Sequence, residues 1–127
     1  MEGITLLEKY PFAAKVMKDW FLERMITSLN DESIDQDFKD YILKQGLENE
    51  KMAILIDANP RMLFDVFDEN DIVIETLLYP SKEFTVIIGR QATTNSWKTR
   101  KESELFAIEA AFEILENKLS LKEEEIN

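Results

Sequence analysis

Over the first sixty residues, apolar positions recur at three- and four-residue spacing, the period of an amphipathic helix. Ala13, Val16, Met17, Trp20 and Phe21 follow this spacing behind Pro11, which suits the first position of a helix, and they predict a helix over residues 11–29. Leu22, Ile26 and Leu29 fall on a second side of the same helix, so its later half is apolar on two faces. Ser33 followed by Gln36 reads as a capping box opening a second helix, with Phe38, Tyr41 and Ile42 on its buried side and Gly46 at its end. A third, short helix is expected from Asn49 to about Asp57, closed by Asn59-Pro60.

Beyond Pro60 the pattern switches to alternation. Residues 62–67, 72–78 and 84–89 are β-branched and aromatic runs, separated by the polar turns Asp68-Glu69-Asn70-Asp71 and Tyr79-Pro80-Ser81-Lys82-Glu83. They predict a three-stranded antiparallel meander. Ile72, Ile74, Leu78, Phe84, Val86 and Ile88 would share one face, and Met62, Phe64, Val66, Val73, Leu77 and Ile87 the other. Both faces are apolar, so both call for cover. A last helix is expected over 99–119, with Leu105, Ile108, Ala111, Phe112, Leu115 and Leu119 as its apolar stripe and a frayed tail at 120–127.

The whole reads as a single α+β domain over residues 1–127. A helical part (1–60) leads to a β-meander (61–90), and a C-terminal helix (98–119) packs on the sheet. The helical part, or a second copy of the chain in a homodimer, is expected to cover the remaining sheet face.

Composition then removes chemistry rather than adding it. The chain contains neither histidine nor cysteine. The side chain that titrates near neutral pH, the thiolate nucleophile and the usual nitrogen and sulfur metal ligands are therefore all missing. No phosphate-binding glycine loop, dinucleotide fingerprint or Gly-x-Ser-x-Gly elbow is present. The acidic turn 68–71 lacks the glycine and the alternating oxygen ligands of a calcium loop, and it reads as an ordinary solvated turn. The expectation is a protein without catalytic residues, metal or cofactor.

The first residues, Met1-Glu2-Gly3-Ile4, carry an acid where a secretory signal needs positive charge, and the longest apolar run is the five residues 52–56. These features, with the absence of cysteine, set the expectation of a cytoplasmic protein that does not cross a membrane.

Net charge is −11, unevenly spread. Lys82, Arg90, Lys98, Arg100 and Lys101 face only Glu83 within residues 82–101, a local +4, so the rest of the chain carries −15. Two surfaces follow from this asymmetry. One is an acidic, partly apolar row on the last helix, Glu102, Phe106, Glu109, Glu113 and Glu116, suited to a basic protein partner. Leu22, Ile26 and Leu29 form a second candidate for protein binding or self-association. The other surface is the mouth of the last helix, where Arg90, Trp97, Lys98, Arg100 and Lys101 are candidates for holding phosphate.

The segment from Gly89-Arg90 to Lys98-Thr99-Arg100-Lys101 and on through Leu115 resembles the C-terminal half of a double-stranded-RNA-binding domain, over residues 62–115. In that family, lysines opening the last helix contact phosphates across the major groove. The resemblance places that role on Lys98, Arg100 and Lys101. The chain departs from the family in its acidic first turn and in the length of Gln91–Trp97.

Its overall character is similar to small uncharacterised proteins of tailed phages and prophages. The leading expectation is a non-enzymatic interaction protein acting through its acidic surface, by a strategy that resembles nucleic-acid mimicry by small phage inhibitors. The alternative is a nucleic-acid-binding module using the basic helix mouth.

Overall fold

The computed structural model describes residues 2–28 and 35–126. Leu29 and the Ser33 capping box fall outside the described residues, as does the side chain of Ile42. In order, the elements are α1 (Gly3–Lys9), α2 (Pro11–Ser28), α3 (Gln36–Gln45), α4 (Asn49–Ala58), a 3-10 turn (Pro60–Met62), α5 (Leu63–Glu69), β1 (Ile74–Leu78), β2 (Phe84–Ile88), β3 (Gln91–Ala92) and α6 (Arg100–Ile126). The fold is α+β, with a three-stranded antiparallel sheet in the order β1-β2-β3 and α6 packed on it. Among the described residues, no helix is long and apolar enough to cross a membrane.

The expected first strand, 62–67, is helical. In Met62-Leu63-Phe64-Asp65-Val66-Phe67 the alternate positions 62, 64 and 66 mimic a strand, but Leu63, Val66 and Phe67 have helical spacing too. Pro60, at the start of the 3-10 turn, presets a helical φ, and the three residues at helical spacing are the fully buried ones.

The acidic segment that follows is therefore a helix end, not a turn between strands. The Ile72 N–H donates to the Phe67 carbonyl (2.9 Å) and the Asp71 N–H to the Asp68 carbonyl (3.1 Å) around Asp71 at φ 64°. This is a Schellman cap, sealed by the apolar pair Phe67 and Ile72.

The β1–β2 hairpin has the expected register. Ile74, Thr76 and Leu78 stand opposite Ile88, Val86 and Phe84. Pro80 opens a turn that Lys82 closes at φ 70°, with the Tyr79 N–H on the Glu83 carbonyl at 2.8 Å. Gly89 and Arg90, both at positive φ, then make a two-residue turn into β3, a strand too short to show in the alternation pattern. The chain returns along β2 until Trp97 exchanges two backbone hydrogen bonds with Phe84, at 2.7 and 2.8 Å. This return sets the start of α6 beside the β1–β2 turn.

One continuous core joins α1, α2, α4, α5, β2 and α6. Phe112 of α6 lies at its centre, edge-on to Phe67 (5.6 Å) and tilted against Tyr10 (6.1 Å). α1 reaches this core by close approach to α4. The Gly3 N–H donates to Asp57 Oδ1 at 2.9 Å, and a Cβ at residue 3 would stand only 3.1 Å from the Ala53 carbonyl oxygen. The periodicity does not predict this helix, because seven residues are too few to display a clear period.

Three further expectations are corrected. Phe38 and Tyr41 of α3 are 53% and 59% exposed, because α3 makes few contacts and lies against α2 alone among the larger pairings. The sheet face bearing Val73, Leu77 and Ile87 is left open by the helices, with Leu77 42% exposed, since α6 takes the opposite face. Finally, α6 continues through the expected frayed tail to Ile126, over a run of Leu, Lys and Glu that favours helix.

Candidate functional site

At the mouth of α6, Thr99 is the helix cap. Its Oγ1 accepts from the Glu102 N–H at 3.2 Å, while the Ser103 hydroxyl donates to the Arg100 carbonyl at 2.7 Å. Trp97, half-buried and held by Phe84, stacks on Phe106 with ring centres 4.7 Å apart. Its indole therefore belongs to the packing between strand and helix. The Arg100 guanidinium lies 5.6 Å from the Phe84 ring, and Lys98, Arg100 and Lys101 are all exposed.

Arg90 does not join them. It sits in the β2–β3 turn at the opposite end of β2, in a concavity shared with Asp68, Asp71 and Glu75. The four-residue rise from Phe84 to Ile88 alone separates the two ends by about 13 Å. The basic segment of the sequence is thus split, with Lys98, Arg100 and Lys101 at one end of the sheet and Arg90 among acids at the other.

The acidic row divides as well. Glu102, Phe106, Glu109 and Glu113 lie along the outer face of α6, opposite Ile108, Ala111 and Leu115, and all four are exposed. Phe106 is 36% exposed, and with Glu109 and Glu113 it borders a shallow groove of about 300 Å³ against Lys9 and Tyr10. Glu116 is engaged within the fold instead. Its two oxygens accept from the N–H groups of Phe12 (3.1 Å) and Ala13 (2.7 Å), so it caps α2.

Leu22 is 4% exposed and offers no surface, and Ile26 is half-buried.

A cavity of about 490 Å³, with no counterpart among the sequence-based expectations, lies between the end of α4 and the first turns of α6. Asp57, Asn59, Pro60 and Arg61 form one wall, and Arg100, Lys101, Glu104, Leu105 and Ile108 the other. Glu104 is only 6% exposed. Its Oε2 lies 3.4 Å from Arg61 Nε, and its Oε1 is buried with no hydrogen-bond partner. The sequence does carry a signal for this. Glu104 shares the i, i+4, i+7, i+11 row with Ile108, Ala111 and Leu115, which puts a carboxylate on the buried stripe.

Among the described residues, no group of three or more acidic side chains is placed to hold a metal ion. Two of the acids at the end of α5 have partners, although both are largely exposed. Glu69 accepts from Trp20 Nε1 (2.5 Å) and pairs with Arg24 (3.3 Å), and Lys118 reaches Asp71 at 3.9 Å.

Comparison of the chain with protein-family models, with curated proteins and with solved structures gives no match.

Proposed function

We propose that this protein is a non-enzymatic interaction protein that binds a basic protein partner through the outer face of α6. The observation that carries this reading is Phe106, an aromatic ring braced by Trp97 and exposed within a row of solvated glutamates at 102, 109 and 113. An anchored aromatic side chain ringed by charge of one sign supplies both the apolar burial and the steering that a binding patch needs. The net charge of −11 extends the attraction beyond the patch. In its sharper form the acidic row stands in for phosphates and occupies a nucleic-acid channel, as a phage- or mobile-element-encoded inhibitor would.

The test compares the wild-type chain with Phe106→Ala/Glu109→Lys/Glu113→Lys as immobilised bait. A basic protein retained by the wild type, released by salt and lost with the triple variant is the expected result. Equal retention by the two baits overturns the proposal.

A second reading has its own observation. Lys98, Arg100 and Lys101 are exposed together at the start of a long helix, which suits phosphate contacts of a nucleic-acid-binding module. Duplex RNA or DNA binding that weakens with salt and disappears in Lys98→Glu/Lys101→Glu would establish it and displace the first.

A further inference from the structure

The sheet ends at β1. Among the described residues the strand order is β1-β2-β3, so one side of β1 pairs with β2 and no strand pairs with the other. Two bonds fix which backbone groups are used. The Gly89 N–H donates to the Val73 carbonyl (2.9 Å) and the Tyr79 N–H to the Glu83 carbonyl (2.8 Å). Bonded pairs alternate along an antiparallel ladder, so residues 73, 75, 77 and 79 turn their N–H and C=O groups to β2. Those of Ile74, Thr76 and Leu78 point the other way, along the free edge of the sheet.

Natural sheet edges are blunted by lysine, proline or a bulge. Residues 74–78 contain none of these, and their one charge is Glu75. Exposed apolar side chains flank the edge instead, with Val73, Leu77 and Leu78 at 48%, 42% and 60%.

The outward groups are self-complementary. Thr76 lies midway between Ile74 and Leu78, so a second β1 can lie antiparallel across a two-fold axis at Thr76. Ile74 then stands opposite Leu78 of the second copy, and each outward N–H and C=O meets its counterpart. Glu75 stands opposite Leu77 of the second copy, not opposite the other Glu75.

The same register is matched in charge. Off the start of β1, Asp68, Asp71 and Glu75 outnumber Arg90 around a concavity of about 440 Å³, and Asp71 is 93% exposed. Off the other end, Lys82 is exposed at the hairpin tip, while its neighbour Glu83 accepts from the Ser96 hydroxyl at 2.5 Å. Pairing about Thr76 carries the hairpin tip of each copy to the acidic end of the other, and so brings Lys82 to Asp71.

From this geometry we infer that β1 is a dimerisation edge, on which two copies of the chain join their sheets through antiparallel β1–β1 pairing. The net charge of −11 on each copy repels at long range, but physiological salt screens that repulsion beyond about 8 Å. Contacts at the edge itself then decide. The edge is separate from the outer face of α6, so the inference stands or falls independently of the partner proposed above.

Sedimentation velocity of the full chain at physiological salt, over a micromolar to millimolar series, is expected to show a monomer–dimer equilibrium. Hydrogen exchange reads the register. The amides of Glu75 and Leu77 should be protected at every concentration, and those of Ile74, Thr76 and Leu78 should gain protection as the dimer forms. Thr76→Pro removes an outward N–H, a change an edge strand tolerates, and should weaken association by about tenfold or more. Lys82→Glu, in an exposed turn, should weaken it severalfold, and Lys82→Glu/Asp71→Lys should restore it.

A chain that stays monomeric throughout the series overturns the inference. So does a dimer that Thr76→Pro and Lys82→Glu leave unchanged, since its interface lies elsewhere. Full protection of Ile74, Thr76 and Leu78 in the dilute monomer would show the edge already closed within one chain, and would overturn it too.

Discussion

Glu116 in α6 accepts a 2.7 Å hydrogen bond from the backbone N–H of Ala13, more than a hundred residues earlier in the chain. With a second bond from Phe12, the carboxylate does for α2 what a local Ser or Asp usually does at an N-cap. The need arises locally: Tyr10 precedes the helix and has no oxygen able to fold back, while Pro11 contributes no N–H. Glu116→Ala should therefore destabilise the protein by about 1–2 kcal/mol, and Glu116→Gln by less, as read from urea unfolding midpoints. Equal stability of Glu116→Ala and wild type would show that the cap contributes nothing.

Asp71 adopts the left-handed conformation at the C′ position of α5, where glycine is usual. Relief of its Cβ strain in Asp71→Gly should raise stability by about 1 kcal/mol. The lost ion pair with Lys118 offsets little, because Asp71 is 93% exposed there. A lowered melting temperature would count against this account of the turn.

Neighbouring positions on α6 should respond in opposite ways. Phe112→Ala removes the ring at the centre of the core and should cost about 3–5 kcal/mol. Glu113→Lys, one residue on, points to solvent and should change stability by less than about 0.5 kcal/mol. Chemical denaturation of the two variants checks both values. Retained stability in Phe112→Ala would mean that the ring is not packed as described.

Leu22 and Tyr41 reverse their apparent roles in the same manner. Leu22→Ala should cost about 2–3 kcal/mol as a buried truncation. Tyr41→Ser, at a position 59% exposed, should be close to neutral. A large loss in Tyr41→Ser would place α3 in the core after all.

The helices with long, regular spacing are legible in the sequence: α2 and α4 fall within a residue or so of expectation, and the stripe of α6 is the buried one. The β1–β2 register is legible because its two runs and the Pro80 turn leave a single consistent pairing. Residues 62–67 are not, since six apolar-rich positions satisfy two periods at once and only the surrounding core decides between them. Of the candidate residues, those tied to one helix face stay together, as Glu102, Phe106, Glu109 and Glu113 do. Arg90 is a neighbour of Lys98 in sequence alone, and a strand that runs out and back separates such neighbours in space. Glu104 is hidden among the chain's many acids, although its place on the buried row sets it apart.

The position of α6 bears on how the chain reaches this state during synthesis. Ile108, Phe112 and Leu115 bring α2, α5 and the sheet onto one side of α6, and they leave the ribosome after the other elements have emerged. Until then α1 can pack on α2 and α4, but α2 and β2 lack the α6 surface against which Met17 and Val86 are buried. The sheet and the α6-facing side of α2 should therefore stay open to proteases and chaperones until residues 108–115 have emerged. Folding of this molecule is an event of its last helix.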